Sequence, residues 1–372
     1  MQLVFQKLTA MPGIVTHKKI FKDSVKLLLT GVGRNRSRSY LLRSISALFA
    51  DPARMKAALF GLLGPNIFDY IPTIGKKQYG HPFSFMFHDK GAPVFIRSMI
   101  ELISAYEDKN NEWAAMQRAY LYGMLCHLAA DEILHPYMFY RSGFPDSNNE
   151  INFYREQNLL FQYNIDNYFL YLADDKSEIN FNINEMIPFS KNGKTLTPAI
   201  KDFILCVLYE NFPDIYRKMI WFSKKEQRNY ADTFGWLDII PCAIIKSQNF
   251  KRNYNERLRK FVKEIHYRKL FYSDFIVQYQ LPQRTDSHHI NQHQEGWSNP
   301  AGSPLMRHDS VLHLCKAACE KTVALWEQVE KTLYAGGFGD VSEINALNAY
   351  TGSADDGYAD MKRKNPVKMR LF

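Results

Sequence analysis

Apolar residues recur every three to four positions along most of the chain, and this period limits the fold more than any other feature of the sequence. One clear example is the segment 40–63, YLLRSISALFADPARMKAALFGLL, in which Asp51-Pro52 marks an interruption and the start of a second helix. Alternating runs of β-branched residues, which would indicate strands, are weak throughout. The sequence therefore predicts an all-α fold, a multi-helix globular domain.

The same period predicts a series of further helices, separated by segments rich in turn residues. These helices cover about 93–107, 113–140, 152–172, 199–225, 232–247, 252–270 and 309–334. Gly64-Pro65 is expected to begin a turn and loop. We expect residues 11–335 to form the helical domain. Residues 336–372, which include MKRKNPVKMRLF, are expected to form a flexible basic tail.

Composition excludes several classes of protein. A hydrophobic content of 46% excludes a disordered chain, and no apolar run approaches the roughly 18 residues that span a bilayer. The formal charge of +9 suits phosphates or peripheral contact with anionic lipid, but no nucleic-acid-reading motif accompanies it. The beginning, MQLVFQKLTAMPG, lacks the features of a signal peptide, so a cytoplasmic protein is expected, with translation starting at Met1 or Met11. Oligomeric state is left open.

The strongest local signal is a spacing of three polar residues on the helix predicted over 113–140. His127, Asp131 and His135 follow one another at intervals of four, so they lie within about 80° of one another on one face. The two histidine backbones are about 12 Å apart, too far for both side chains to reach one zinc ion. Asp131 lies between them and has two oxygens. The spacing therefore suggests a cluster of metals bridged by Asp131, although hydrogen-bonded core histidines would give the same pattern.

Six motifs together resemble the bacterial zinc-dependent phospholipase C family, whose members have an all-helical domain with three metals lined by His, Asp and Glu. The motifs are MPGIVTH at 11–17, GPNIF at 64–68, FH at 87–88, HLAADEILHP at 127–136, NLLFQYNIDNYFL at 158–170 and EGWSNP at 295–300. The likeness is to the catalytic domain of alpha-toxin-type members, without their lipid-binding accessory domain.

The resemblance implies a set of metal ligands, and three of its positions depart from the family pattern. One site would use Asn66, His88, His127 and Asp131; a second, His17 and Asp131; and a third, His135, Asn158 and Gln162. Asn66 stands where the family has Asp, while Asn158 and Gln162 stand where it has His and Glu. Another register of that helix would bring Glu150 or Glu156 there instead. Because neutral amides are poor zinc ligands, we expect one zinc, with up to three implied by the family.

The family's chemistry implies a zinc-dependent hydrolase in which activated water attacks a phospholipid or a soluble phosphodiester. Asp131 and Asp69 are the candidate catalytic residues, Asp69 as a substitute ligand or base beside Asn66, with a solvated loop aspartate as the alternative. The lost charges leave a second hypothesis open. It is a catalytically impaired family member that serves as a scaffold for phosphate-bearing ligands or for a protein.

Overall fold

The structure is a computed structural model that describes residues 13–31, 36–70, 81–146, 150–172, 183–190, 193, 195–219, 236–252, 287–302, 304–334 and 341–367. Its α-helices are α1 (Ile14–Gly31), α2 (Arg36–Ala50), α3 (Pro52–Gly61), α4 (His81–His88), α5 (Ala92–Ser104), α6 (Glu112–Ser142), α7 (Ile151–Leu172), α8 (Pro198–Asn211), α9 (Pro213–Met219), α10 (Trp236–Arg252), α11 (Val311–Tyr334) and α12 (Ser342–Asn345). Short 3₁₀ helices cover Gly64–Tyr70, Ile183–Met186 and Tyr358–Asp360, and one hairpin pairs β1 (Trp297–Ser298) with β2 (Met306–Arg307). The predicted all-α class is confirmed.

Local signals in the sequence set several helix boundaries. The Asp51 side chain accepts hydrogen bonds from the backbone N–H groups of Ala53 and Arg54, both at 2.9 Å, and so caps α3 as the Asp-Pro pair predicts. Pro213 divides the helix predicted over 199–225 into α8 and α9, because proline has no N–H to continue a helix. The helix predicted over 252–270 lies outside the described residues apart from its first position. No helix in the described ranges combines the length and apolar composition that crossing a membrane requires.

Helix α6 forms the centre of the molecule and is buried along nearly its whole length. It lies very close to α3, because each helix has a glycine at their crossing. A Cβ atom on Gly123 would lie 1.8 Å from the carbonyl oxygen of Ala58, and one on Gly61 would lie 2.0 Å from that of Tyr120. On another side α11 packs on α6, where the Trp326 indole N–H donates to the Tyr122 carbonyl at 2.8 Å. Helix α6 is thus held rigidly by its neighbours.

The segment that begins at Gly64 differs from its prediction. It forms a 3₁₀ helix over Gly64–Tyr70, after Gly64 has turned the chain with a φ of +61°. In a 3₁₀ helix, side chains three residues apart lie above one another. Asn66 and Asp69 therefore share a face.

Residues 341–367 correct the prediction of a flexible C-terminal tail. Leu347, Tyr350 and Met361 are buried, and the backbone N–H groups of Asn365 and Val367 donate at 2.8 Å to carbonyls at the end of α6. The segment has no long helical period that would have revealed this packing in the sequence. Its few apolar residues are nevertheless enough to fasten it beside α4 and α6.

Candidate metal centre

Four imidazole rings from three helices converge on the carboxylate of Asp131. The Nε2 atoms of His88 and His127 lie 3.3 and 3.0 Å from its Oδ2. Those of His17 and His135 lie 3.0 and 3.4 Å from its Oδ1. All five side chains are buried. Both histidines of α6 therefore meet the aspartate that lies between them, one at each of its oxygens.

A backbone carbonyl orients each of these rings through a hydrogen bond to its other nitrogen, Nδ1. The Nδ1 atoms of His17, His88, His127 and His135 lie within hydrogen-bond distance of the carbonyl oxygens of Gly13, Ser84, Leu62 and Ala349, respectively. A carbonyl only accepts, so each Nδ1 carries a proton, and a ring that holds no second proton presents its Nε2 lone pair to Asp131. Histidine ligands of metals have this arrangement, in which the second nitrogen donates to a carbonyl or carboxylate.

This arrangement leaves lone pairs facing one another. The Nε2 atoms of His88 and His127 are 3.0 Å apart, although each ring already uses its proton at Nδ1. Two acceptors at this distance repel unless a cation lies between or beside them. Imidazole and carboxylate are the donors that zinc prefers, so the residues present fit a zinc ion. The ligand atoms of His17, His127 and Asp131 all lie within 4.8 Å of one another, which is also suitable for a metal.

Protonation states favour metal binding as well. Burial lowers the pKa of His127 and of His135 to about 4 despite the nearby Asp131, so both rings are neutral near pH 7. Burial would raise the pKa of Asp131, but the surrounding histidines hold it well below its usual range. For His17, burial is the largest single effect and favours the neutral ring, but the charge and hydrogen bond of Asp131, together with the Gly13 carbonyl and the charge of Asp166, outweigh it and raise the pKa. The cluster therefore combines an ionised carboxylate with neutral imidazoles at His127 and His135.

A carboxylate on α7 positions the first turn of α1. Asp166 is buried and accepts hydrogen bonds from the Thr16 hydroxyl at 2.6 Å and from the Thr16 and Val15 backbone N–H groups at 2.9 and 3.3 Å. It thus satisfies N–H groups at a helix N-terminus, where a negative charge is stabilising. Gly13 makes this approach feasible, because a Cβ there would lie 1.9 Å from Asp166. This contact places His17 beside Asp131.

Asn66 and Asp69 lie at the edge of the cluster and share one hydroxyl. The Ser84 hydroxyl lies 2.9 Å from Asp69 Oδ2 and 3.3 Å from Asn66 Oδ1. The amide nitrogen of Asn66 lies 3.3 Å from His127 Nε2. The structure therefore brings Asn66 to the histidines and places Asp69, which is half-buried, just beyond it.

Asn158 and Gln162 are buried on the face of α7 that packs against α6. Asn158 is hydrogen-bonded to Ser142, near the end of α6, and the Gln162 amide nitrogen has no hydrogen-bond partner among the described residues. Within those residues, neither amide is bonded to Asp131 or to its histidines. Their place in a third site with His135 stays a prediction.

Sequence reasoning missed the contribution of the C-terminal segment. Ala349 supplies the carbonyl that orients His135, and the Tyr350 ring lies against the rings of His88 and His135. No motif marks these two residues, and they follow the central helix by more than two hundred positions. Only the packing of residues 341–367 reveals them. Asp166, by contrast, lies in the motif at 158–170, but nothing in that motif predicts its contact with Thr16.

We expect Gly64→Ala to weaken zinc binding by about 10- to 100-fold, the usual effect of disturbing a residue that orients a metal ligand. A Cβ at Gly64 would lie 2.1 Å from Cδ2 of His127, so the ring would have to move away from Asp131. Competition with a chromogenic chelator measures the change. Gly193→Ala is the matched control, because Gly193 also has a positive φ but its Cβ would meet nothing within 4 Å. Equal zinc affinities in the two variants would contradict the expectation.

A comparison with known proteins identifies a family that matches this chain. A family model described as zinc dependent phospholipase C matches residues 47–268, more than half of the chain. The matched range includes His88, His127, Asp131 and His135, whereas His17 precedes it and Tyr350 follows it. No curated protein and no solved structure matches the chain significantly.

Proposed function

Because the chain belongs to the zinc-dependent phospholipase C family, we propose that it is a zinc-dependent phosphodiester hydrolase that acts on a phospholipid or a related soluble phosphodiester. The observation that carries the proposal is the convergence of four fixed Nε2 atoms on Asp131. The core-histidine alternative is disfavoured because hydrogen-bonded core histidines would pair donors with acceptors. Here the His88 and His127 acceptors face each other at 3.0 Å.

We propose that the two oxygens of Asp131 divide the ligands into two sets. Oδ2 with His88 and His127 would hold one zinc, and Oδ1 with His17 and His135 is placed for a second. Zinc bound there would supply the positive charge that polarises a phosphoryl oxygen and lowers the pKa of a water molecule. Asp131 would hold both histidine pairs in position relative to each other, and its negative charge would balance part of the metal charge.

Asp69 is our candidate for the general base. Its carboxylate lies next to Asn66 on the same face of the 3₁₀ helix and is held by the Ser84 hydroxyl at 2.9 Å. Asn66 carries no charge, so it cannot take a proton from water near neutral pH. Asp69 is one 3₁₀ turn farther on and would accept that proton instead.

The activity test uses zinc-loaded protein and bis(para-nitrophenyl) phosphate. We expect zinc-dependent release of para-nitrophenol, none above background from His127→Ala, and a loss of about 10²- to 10⁴-fold in kcat from Asp69→Asn, the usual range for a general base. The zinc content of Asp69→Asn distinguishes the two possible roles of Asp69. Loss of a general base leaves the zinc bound, whereas loss of a zinc ligand releases it. Head-group release from phosphatidylcholine vesicles, compared with the soluble diester, distinguishes the two substrate classes.

The second candidate function is a binding scaffold, and the neutral amides at Asn66, Asn158 and Gln162 favour it. Each lacks a negative charge that would offset the charge of a metal. Wild-type protein that binds zinc and phosphate but gives no turnover would support this candidate over the hydrolase. Asn66→Asp restores one carboxylate beside His127, and turnover that appears only in this variant would identify the missing charge as the cause.

A further inference from the structure

A turn formed by residues 348–352 connects two of the histidines of the candidate centre. The Ala349 N–H donates to the His88 carbonyl at 2.8 Å, and the Ala349 carbonyl accepts the Nδ1 proton of His135. His88 ends α4, whereas His135 lies in α6. A single residue of the turn therefore contacts the backbone of one candidate ligand and orients the ring of another. The turn follows the range that the family model matches, so the family comparison assigns it no role.

The Asn348 side chain fixes the conformation of this turn. It is buried, and its oxygen accepts from the backbone N–H groups of Tyr350 and Thr351, both at 3.0 Å. Its amide nitrogen donates to the Asp89 carboxylate at 2.8 Å and to the Asp356 carbonyl at 3.1 Å. Backbone N–H groups only donate and a carbonyl only accepts, so these partners also fix the orientation of the amide.

The turn lies directly on the part of α6 that carries His135. The Gly352 N–H donates to the Asn348 carbonyl at 3.0 Å and closes the turn with a φ of +63°. A Cβ atom on Gly352 would lie 2.7 Å from the carbonyl oxygen of Glu132 and 3.4 Å from Cγ of Pro136. The turn is thus seated on α6 as closely as a residue without a side chain allows.

Asn348 controls the position of Ala349 from two directions. Its amide nitrogen is bonded to the side chain of the residue after His88, and its oxygen is bonded to the N–H of the residue after Ala349. A histidine that binds a metal through Nε2 depends on the acceptor at Nδ1 to keep its ring oriented. Displacement of the Ala349 carbonyl should therefore let the His135 ring rotate out of the cluster.

We propose that Asn348 is a positioning residue of the metal centre, which acts on the metal through His135 by holding the Ala349 carbonyl in place. The inference deepens the proposed function and rests on it for the identity of the metal. When this support is removed, one imidazole loses its fixed direction, so both the affinity for zinc and the geometry of the bound ion should change.

The test compares Asn348→Ala with the wild-type protein. Zinc affinity is measured by competition with a chromogenic chelator, and we expect it to fall about 10- to 100-fold, the usual effect of losing a residue that supports a metal ligand. The second measurement is the visible absorption spectrum of the protein loaded with Co²⁺ in place of zinc. This spectrum depends on the geometry of the ligands, so we expect its bands to shift in Asn348→Ala.

The matched control is Asn291→Ala, which separates a loss of stability from a loss of positioning. Asn291 is also buried, and its side chain makes three hydrogen bonds of 2.8 to 3.0 Å to backbone groups of Glu295 and Asp309. These bonds hold the loop that precedes α11 and include none to a histidine of the cluster. The melting temperature should fall in both variants, whereas the cobalt spectrum and the zinc affinity should change only in Asn348→Ala.

An exchange of side chains provides a further test that keeps both positions polar. Asn348→Asp alone sets two carboxylates against each other and should weaken zinc binding. The double variant Asp89→Asn/Asn348→Asp restores an amide–carboxylate pair with the donor on the other partner. Recovery of zinc affinity in the double variant supports the inference. A double variant that binds zinc no better than Asn348→Asp overturns it, and this result decides the question if Asn348→Ala does not fold.

The outcomes distinguish this inference from the hydrolase proposal, because neither readout requires turnover. A changed cobalt spectrum in Asn348→Ala supports the inference even if no phosphodiester is hydrolysed, in which case only the hydrolase proposal fails. An unchanged spectrum and zinc affinity in Asn348→Ala overturn the inference, and hydrolysis of the diester by both proteins would leave the hydrolase proposal standing. Wild-type protein that binds neither zinc nor Co²⁺ overturns both.

Discussion

Asp131→Asn should abolish zinc binding. The asparagine has nearly the same shape, so the helices around it are undisturbed, but it removes the one negative charge that all four imidazoles face. Its amide nitrogen would also place a donor where a metal requires a lone pair. With neutral rings alone, a doubly charged ion would be buried without a balancing charge, which is strongly unfavourable.

Metal analysis by mass spectrometry of the purified proteins measures this effect. We expect at least one zinc per chain in wild type and none in Asp131→Asn. Two zincs in wild type would support the division of ligands between the two Asp131 oxygens. Asp166→Asn is a useful comparison, because Asp166 is also buried but its hydrogen bonds within the described residues go to the start of α1, so this variant should lose less zinc. Zinc retained in full by Asp131→Asn would contradict the proposed centre.

Gly123→Ala should lower the free energy of unfolding by about 3 kcal/mol, at the upper end of the range for overpacking. In an exposed helix the same change would stabilise by roughly 1 kcal/mol, because alanine is the better helix former. Here the new Cβ would lie 1.8 Å from the Ala58 carbonyl and 2.8 Å from the Leu62 backbone nitrogen, so steric overlap decides the sign. Helix α3 can relieve the overlap only by moving away from α6.

Denaturant titration measures the loss of stability, and the double variant Gly61→Ala/Gly123→Ala checks the cause. Both substitutions wedge apart the same two helices, so their combined cost should be smaller than the sum of the single costs. Strict additivity would argue against this cause. Because α3 leads to the Leu62 carbonyl that orients His127, we also expect Gly123→Ala to bind zinc more weakly than wild type.

Residues that lie close together in sequence made the central helix predictable. The spacing of His127, Asp131 and His135 follows from the geometry of a helix, and their meeting requires no knowledge of other segments. The boundary at Asp51-Pro52 is equally local, because a cap and the ring of proline act over one turn. His17 and His88 were found by resemblance to the family, since nothing in their own neighbourhoods distinguishes them from core histidines.

The sequence by itself therefore determined the helical class and the shared face of α6, since these depend on periodicity, and the resemblance to the family supplied the other candidate ligands. Only the tertiary structure decided how the four histidines pair with the two Asp131 oxygens, and only it showed that Asp166 positions α1. The tertiary structure also revealed that residues near 350, expected in a flexible tail, orient His135 and line the site. These contacts join backbone carbonyls and rings that are far apart along the chain. A carbonyl is present at every residue, so no sequence pattern marks the one that packing brings to a histidine.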